Sequence, residues 1–189
     1  MREIIVTEFI TADGVIDSPG GGAHPHAGWT FKDVEFDEAA YEIKGAEQDE
    51  ATAMLMGRAS YEEFAPIWPT MTVDFAGYNA MPKYVVSTTL TAAPWGEDRA
   101  EILPDLDAVR ALKEGDGGPI IVHGSATLAQ GLAAAGLVDR YHLLVFPLVL
   151  GEGKRLFAAE ADKRTFRVVS SQTYGNGITK LVYAVTPAS

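Results

Sequence analysis

The sequence contains no cysteine. Disulfides, thiolate nucleophiles, zinc–thiolate centres and iron–sulfur clusters are excluded with it. Positive charge is scarce: 15 Lys and Arg stand against 26 Asp and Glu, for a formal net charge of -11. A nucleic-acid binder ordinarily carries a basic surface, so that class is disfavoured. A single anionic small molecule remains open, because one helix N-terminus and one Arg make a local positive site in an acidic protein. Long apolar runs are also missing, and none spans a bilayer. Arg2 and Glu3 open the chain, and Thr7 and Glu8 interrupt the apolar run from Ile4, unlike a signal peptide. The expectation is a soluble cytoplasmic protein without nucleic-acid or membrane partners.

The 189 residues are 47% hydrophobic and 22% charged, which suits one globular domain over 1–189 with layers on both sides of a sheet. Residues 3–10 read as a buried strand, followed by an Asp13-Gly14 turn. Residues 18–30 read as a loop, and the consecutive Gly20, Gly21 and Gly22 make it costly to order. Phe36, Ala39, Ala40, Ile43 and Ala46 recur at helical spacing, with Asp37 and Glu38 at the N-terminal end. Ala53–Met56, Lys83–Ser87, Ala100–Leu103, Ile120–Val122 and Tyr141–Val149 read as strands. Helices are expected around Tyr61 and Phe64, from Asp105 to Gly115, and from Leu128 to Gly136, with 66–82 irregular. Segments 165–171 and 178–185 form a hairpin through Gly175-Asn176-Gly177. Alternating strands and helices with a terminal hairpin predict an α/β fold, its central sheet mainly parallel and antiparallel at the C-terminal end.

Three strand ends share one design. Met56-Gly57-Arg58-Ala59-Ser60 and Val122-His123-Gly124-Ser125-Ala126-Thr127 each leave a strand and open a helix, and Val86-Ser87-Thr88-Thr89 leaves a third strand. Ligands of open α/β sheets bind at the carboxyl ends of strands. Glycine admits a close backbone approach, helix N-termini and hydroxyls supply donors, and Arg58 offers a planar charged fork for phosphate. Such edges suit a ligand with several phosphates, although the G-x-G-x-x-G fingerprint is absent.

The order of these segments resembles the dihydrofolate reductase superfamily, and most closely bacterial proteins related to the C-terminal reductase domain of the riboflavin-pathway enzyme RibD. The resemblance rests on Thr11-Ala12-Asp13-Gly14, Leu55-Met56-Gly57-Arg58-Ala59-Ser60-Tyr61, Lys83-Tyr84-Val85-Val86-Ser87-Thr88-Thr89, Ile121 to Leu128 running into Gly136-Leu137-Val138-Asp139, and Phe146 to Phe157. It implies a dihydrofolate-reductase-like three-layer fold with NADPH across the carboxyl edge of the sheet. Gly57 and Arg58 would hold the 2′-phosphate side, Ala59 and Ser60 the pyrophosphate. Ser87 and Thr88 would line the adenosine phosphate pocket. His123 precedes the pyrophosphate turn of Gly124, Ser125, Ala126 and Thr127, and Ala12 and Ile16 would lie near the nicotinamide.

Reduction of C=N or C=O also needs a proton source. Asp13 is one candidate, with turn formation as its competing role. In dihydrofolate reductases a carboxylate of the first helix recognises the pterin, but the ungapped position here is Tyr41, flanked by Glu38 and Glu42. Those two complete the set of candidate acids, and the departure argues against dihydrofolate as substrate. The reading is an NADPH-dependent reductase of a small heterocycle (pterin, pyrimidine or flavin-precursor-like) or carbonyl compound, acting as a homodimer, with no metal. His24 and His26 lack a third ligand in sequence. Trp29 and Phe31 suit either a lid over substrate or packing on the core, and Val145, Phe146 and Val149 offer apolar surface to a dimer. The alternative is a non-catalytic binding protein that keeps the nucleotide site; a zinc deaminase is excluded by the missing Cys.

Overall fold

A computed structural model of the chain describes residues 1–186. Its elements run β1 (Ile4–Thr11), α1 (Trp29–Lys32), α2 (Glu38–Glu50), β2 (Ala53–Gly57), α3 (Arg58–Phe64), α4 (Ala76–Ala80), β3 (Lys83–Val86), β4 (Pro94–Trp95), β5 (Asp98–Arg99), β6 (Glu101–Leu103), α5 (Leu106–Glu114), β7 (Ile120–His123), α6 (Ala126–Ala134), β8 (Arg140–Phe146), β9 (Phe166–Thr173) and β10 (Thr179–Val185). Eight strands form one sheet in the order β6-β3-β2-β7-β1-β8-β10-β9, and β4 and β5 make a separate small ribbon. Strands β6, β3, β2, β7, β1 and β8 are parallel, while β10 runs antiparallel to both β8 and β9.

Both faces of the sheet are covered, and so the central strands read as continuous apolar runs rather than alternating ones. One layer packs Ile4, Val6, Leu55, Ile120 and Val122 against Val109 of α5 and Leu128, Ala129 and Leu132 of α6. The opposite face packs Ile5, Met54, Met56 and Ile121 against Tyr61, Tyr78 and Trp95. A third cluster closes the β8 end of that face with Trp29, Ala40, Leu144, Phe146 and Ile178. The caps follow the sequence: the Asp105 side chain accepts the Ala108 amide at the head of α5, and the Asp37 side chain accepts the Ala39 amide at the head of α2.

Three local expectations change. The strand expected over Tyr141–Val149 stops at Phe146, because Pro147 has no amide to donate to a ladder. The stretch 66–82 is not wholly irregular; it holds a single 3-10 turn at Trp68–Thr70 and helix α4, with Trp68 packed against Phe64 and Phe75. Phe146 is not available to a dimer surface: it is fully buried, edge-on to Trp29 and Phe9, while Val149 alone of the three is largely exposed. Among the described residues no helix is long and apolar enough to cross a membrane.

Candidate functional site

Parallel strands with helical crossovers bring every strand-to-helix turn to one edge. The ends of β3, β2 and β7 are adjacent there, with Gly57 opposite Val86 and Met54 and Leu55 opposite Ile121 and Val122. The sheet therefore gathers the three segments singled out in sequence. The Ser125 hydroxyl accepts the Gly57 amide at 2.9 Å and lies 2.8 Å from the Ser60 hydroxyl. This closeness explains both glycines. A Cβ on Gly57 would collide with the Ser125 hydroxyl, and a Cβ on Gly124 would fall 2.7 Å from Ser60 Oγ. Gly124 and Ser125 are both left-handed, with φ of 63° and 64°, a conformation natural for Gly124 and strained for Ser125. Ser125 is the N-cap of α6 without a side-chain cap bond, so the first amides of α6 are free to meet an acceptor.

The remaining expected cofactor residues differ in their surroundings. Ala59 and Thr127 are exposed and Ala126 is buried. Arg58 is half exposed and forms a bond to Glu62 Oε2 at 2.8 Å, one helical turn on. The Ser87 hydroxyl is engaged locally, accepting the amides of Thr89 at 3.2 Å and Leu90 at 3.0 Å, whereas Thr88 is exposed. Ala12 is exposed, its amide bound to the Leu148 carbonyl; Ile16 is buried, its amide bound to the Lys154 carbonyl.

Asp13 clamps two segments. Its carboxylate accepts the Thr11 hydroxyl at 2.6 Å, the Leu150 amide at 3.3 Å and the Gly151 amide at 2.9 Å, with Arg155 3.5 Å away. The Thr11 bond first, then the Gly151 and Leu150 amides, holds its pKa below the ordinary carboxylate range. Arg155 also donates to the Asp13 and Gly151 carbonyls. Glu38 and Glu42 are exposed on α2, away from the sheet. His24 accepts the His26 amide at 3.1 Å, and its Nε2 is 3.2 Å from the Glu152 carbonyl. Trp29 is fully buried and donates to the Asp17 carbonyl at 2.8 Å, while Phe31 remains exposed.

The structure adds a buried polar cluster that sequence reasoning missed. Thr7 stands opposite His123 on β7 and His142 on β8, one row across the sheet. Glu47 of α2 drops onto this row: its Oε1 accepts the Thr7 hydroxyl at 2.7 Å and lies 3.0 Å from His142 Nδ1, and its Oε2 lies 3.3 Å from Lys44 Nζ. The Lys44 ammonium also donates to the Thr7 hydroxyl. Burial opposes the charge on Glu47, but Lys44, His142, His123 and Thr7 outweigh it and bring its pKa down to about 2. Burial first, then Lys44, pushes His123 down to about 3, so its ring is neutral. That ring is met edge-on by Tyr78 and Trp68, with centroids 4.7 and 5.4 Å away.

Glu8 is the second buried carboxylate. It follows Thr7 on β1 and is only 5% exposed, and its Oε1 has no hydrogen-bond partner. Burial first, with Glu47 adding to it and Lys44 opposing, raises its pKa to about 8. Two signals were present in the sequence: Glu8 is the one charged residue inside the buried strand Ile4–Thr11, and Glu47 stands seven residues after Ala40 on the same face of α2.

Comparisons with known proteins agree with this architecture. The protein called a putative riboflavin biosynthesis protein from Shewanella sp. PV-4 superposes with a TM-score of 0.78 at 22% identity, covering 98% of this chain and 99% of that one. A pyrimidine reductase-like protein from Corynebacterium diphtheriae gives 0.64 at 13% identity, over 98% and 92% of the two chains. The uncharacterized protein YyaP of Bacillus subtilis (strain 168) is 27% identical over 190 residues, 96% of this chain and 94% of its own. The model of the RibD C-terminal domain matches residues 2–180, which contain every turn of the site just described. With the eight-stranded sheet, the paired strand-end turns and nearly the full length accounted for, the chain belongs to the RibD C-terminal domain family.

Proposed function

We propose that the protein is an NADPH-dependent reductase that passes hydride to a small heterocyclic or carbonyl substrate. The observation that carries this reading is the junction of the Gly57–Ser60 and Gly124–Thr127 turns through the Ser125 hydroxyl. It concentrates backbone amides and hydroxyls at one point of the carboxyl edge, a donor set suited to a pyrophosphate. The name of one structural neighbour, a pyrimidine reductase-like protein, supports the same reaction class. When bound, the nicotinamide supplies the hydride.

The chain supplies the rest. The α6 N-terminus, Ser60 and Thr127 hold the pyrophosphate. Arg58, released from its exposed pair with Glu62, meets the 2′-phosphate together with Thr88; the exchange is cheap, because an exposed pair contributes roughly 0–1 kcal/mol. Ser87 shapes the turn that presents Thr88. Asp13 acts through position: it fastens the Ala12–Ile16 turn to the 147–151 segment, so that the backbone beside the nicotinamide is rigid. The substrate lies between this turn, α2 and the 18–30 segment. The reading also places the protein in the cytoplasm as a homodimer.

The test is a titration of NADPH and NADH followed by nicotinamide fluorescence, then a screen of pterins, pyrimidines, flavin precursors and quinone-like carbonyls for NADPH oxidation. Tight NADPH binding with turnover of one class is expected. Binding without turnover of any would move the protein to a non-catalytic nucleotide-binding role, and no binding at millimolar NADPH would end the cofactor assignment.

A further inference from the structure

Strand β7 ends at His123, opposite Thr7, whereas β8 continues alongside β1 as far as Thr11. Glu8 is thus the first β1 residue past the end of β7, beside the point where the chain leaves the sheet through Gly124 and Ser125 into α6. Side chains alternate along β1, so Glu8 shares the face of Val6 and Ile10, the face covered by Ala126, Leu128 and Ala129 of α6. A carboxyl group nine-tenths buried, with one oxygen unpartnered, therefore lies on the face that α6 covers, within reach of the Gly124 amide two residues before this helix, whose own first amides are free. A charged carboxylate there would repel any anion that those amides attract. A neutral carboxylic acid has an O–H to donate.

Resting on the nucleotide-site reading, we propose that Glu8 carries the proton of this site: its neutral carboxylic acid donates a hydrogen bond to the anionic group seated on the Gly124–Ser125 turn, so ligand binding requires protonated Glu8.

The surroundings favour that form. The groups that act on Glu8 are Lys44 and Glu47 from α2 and the Gly124 amide at the end of β7, and burial outweighs the two that favour charge, holding the group near 8. The start of α6 (Ala126, Thr127, Leu128, Ala129) brings no titratable side chain, and its β8 neighbour is Leu143. Glu47, at about 2, and His123, at about 3, keep their states through neutral and mildly alkaline pH. An anion on the turn raises the proton affinity of Glu8 further, and by linkage each stabilises the other.

The test is the pH dependence of NADPH binding from about pH 6.5 to about 9.5, with dissociation constants from nicotinamide fluorescence. Above about pH 8 the affinity of the wild-type protein should fall, approaching tenfold per pH unit. In Glu8→Gln, which keeps a donor that does not titrate, binding should persist and the slope should vanish. Calorimetry of the wild-type protein in two buffers of different ionisation enthalpy gives the same answer without a variant. Near pH 8.5, where the phosphate of the ligand (pKa about 6) is already ionised, binding should take up a substantial fraction of a proton. A flat wild-type profile, zero proton uptake, or an unchanged slope in E8Q overturns the proposal while leaving the cofactor reading intact. Failure of NADPH to bind at any pH overturns the cofactor reading instead. Sulfate, whose charge is constant over this range, then probes Glu8 alone through the amide shifts of Gly124 and Ser125. A pH-dependent response lost in E8Q sustains the proposal, and a pH-independent response or none overturns it.

Discussion

The Ser125 hydroxyl accepts the amide hydrogen of Gly57 at 2.9 Å, joining two strand-end turns that are 68 positions apart in sequence. Ser125 holds this place at a φ of 64°, where a side chain costs roughly 1–2 kcal/mol relative to the right-handed region. The bond to Gly57 and the contact with Ser60 offset that strain. Two variants separate the effects. Ser125→Ala keeps the strain and loses both hydroxyl contacts, so it should lower stability by about 1–2 kcal/mol. Ser125→Gly relieves the strain and should be the more stable of the two. Both should weaken NADPH binding if the junction holds the pyrophosphate; denaturant unfolding with fluorescence titration checks both points.

Glu47 should dominate the acid limb of stability. Its native pKa is about 2 against an ordinary 4.5, so the stability it adds is fully present above about 4.5 and is lost as pH falls towards 2. Glu47→Ala leaves Lys44 and His142 without their buried partner and should cost roughly 3–5 kcal/mol at neutral pH. Glu8 has the opposite sign. With a native pKa of about 8 it keeps a proton that the unfolded chain loses, so stability declines as pH rises between about 4.5 and 8. Unfolding curves at pH 3, 5, 7 and 9 for the wild type, E47A and E8Q read both trends, and E8Q should show the shallower decline between about pH 4.5 and 8.

Asp13→Ala should act on the turn rather than on a proton. It removes the acceptor for the Thr11 hydroxyl and for the Leu150 and Gly151 amides, at a cost of about 1–3 kcal/mol. Under the reductase reading, KM for NADPH should rise and the pH profile of kcat should keep its shape. A kcat profile that loses an ionisation in the variant would instead make Asp13 the proton donor.

Arg58→Ala should leave stability within about 0.5 kcal/mol of wild type, because its bond to Glu62 is exposed at a helix surface. It should weaken NADPH more than NADH. Equal losses for the two nucleotides would remove Arg58 from the 2′-phosphate site.

Trp29→Ala should be among the most damaging changes in the 18–30 segment, at roughly 3–5 kcal/mol, since the indole is fully buried against Phe146 and donates to Asp17. Phe31→Ala, at an exposed ring, should be nearly neutral for stability. Thermal unfolding of the two variants side by side checks the contrast.

Much of the architecture was legible in local patterns. Apolar runs marked the buried strands, Asp105 and Gly115 bounded α5, and glycines followed by helix formers marked the turns at the ends of β2 and β7. These signals are local because caps, turns and strand periodicity depend on residues a few positions apart. The parallel sheet then brought the turns together, as its connectivity requires. The roles inside the site were not legible in this way. Glu38 and Glu42 stood nearest the expected acid position, yet the rotation of α2 leaves them exposed and turns Glu47 inward. Thr7, His123 and His142 come from three distant segments and meet only because β7, β1 and β8 are neighbours in register. The sequence by itself determined a cysteine-free, acidic α/β protein with phosphate-friendly turns. Only the tertiary structure decided which carboxylates are buried, and therefore that Glu47 is charged while Glu8 holds its proton, because desolvation and neighbouring charge are set by packing and not by residue order.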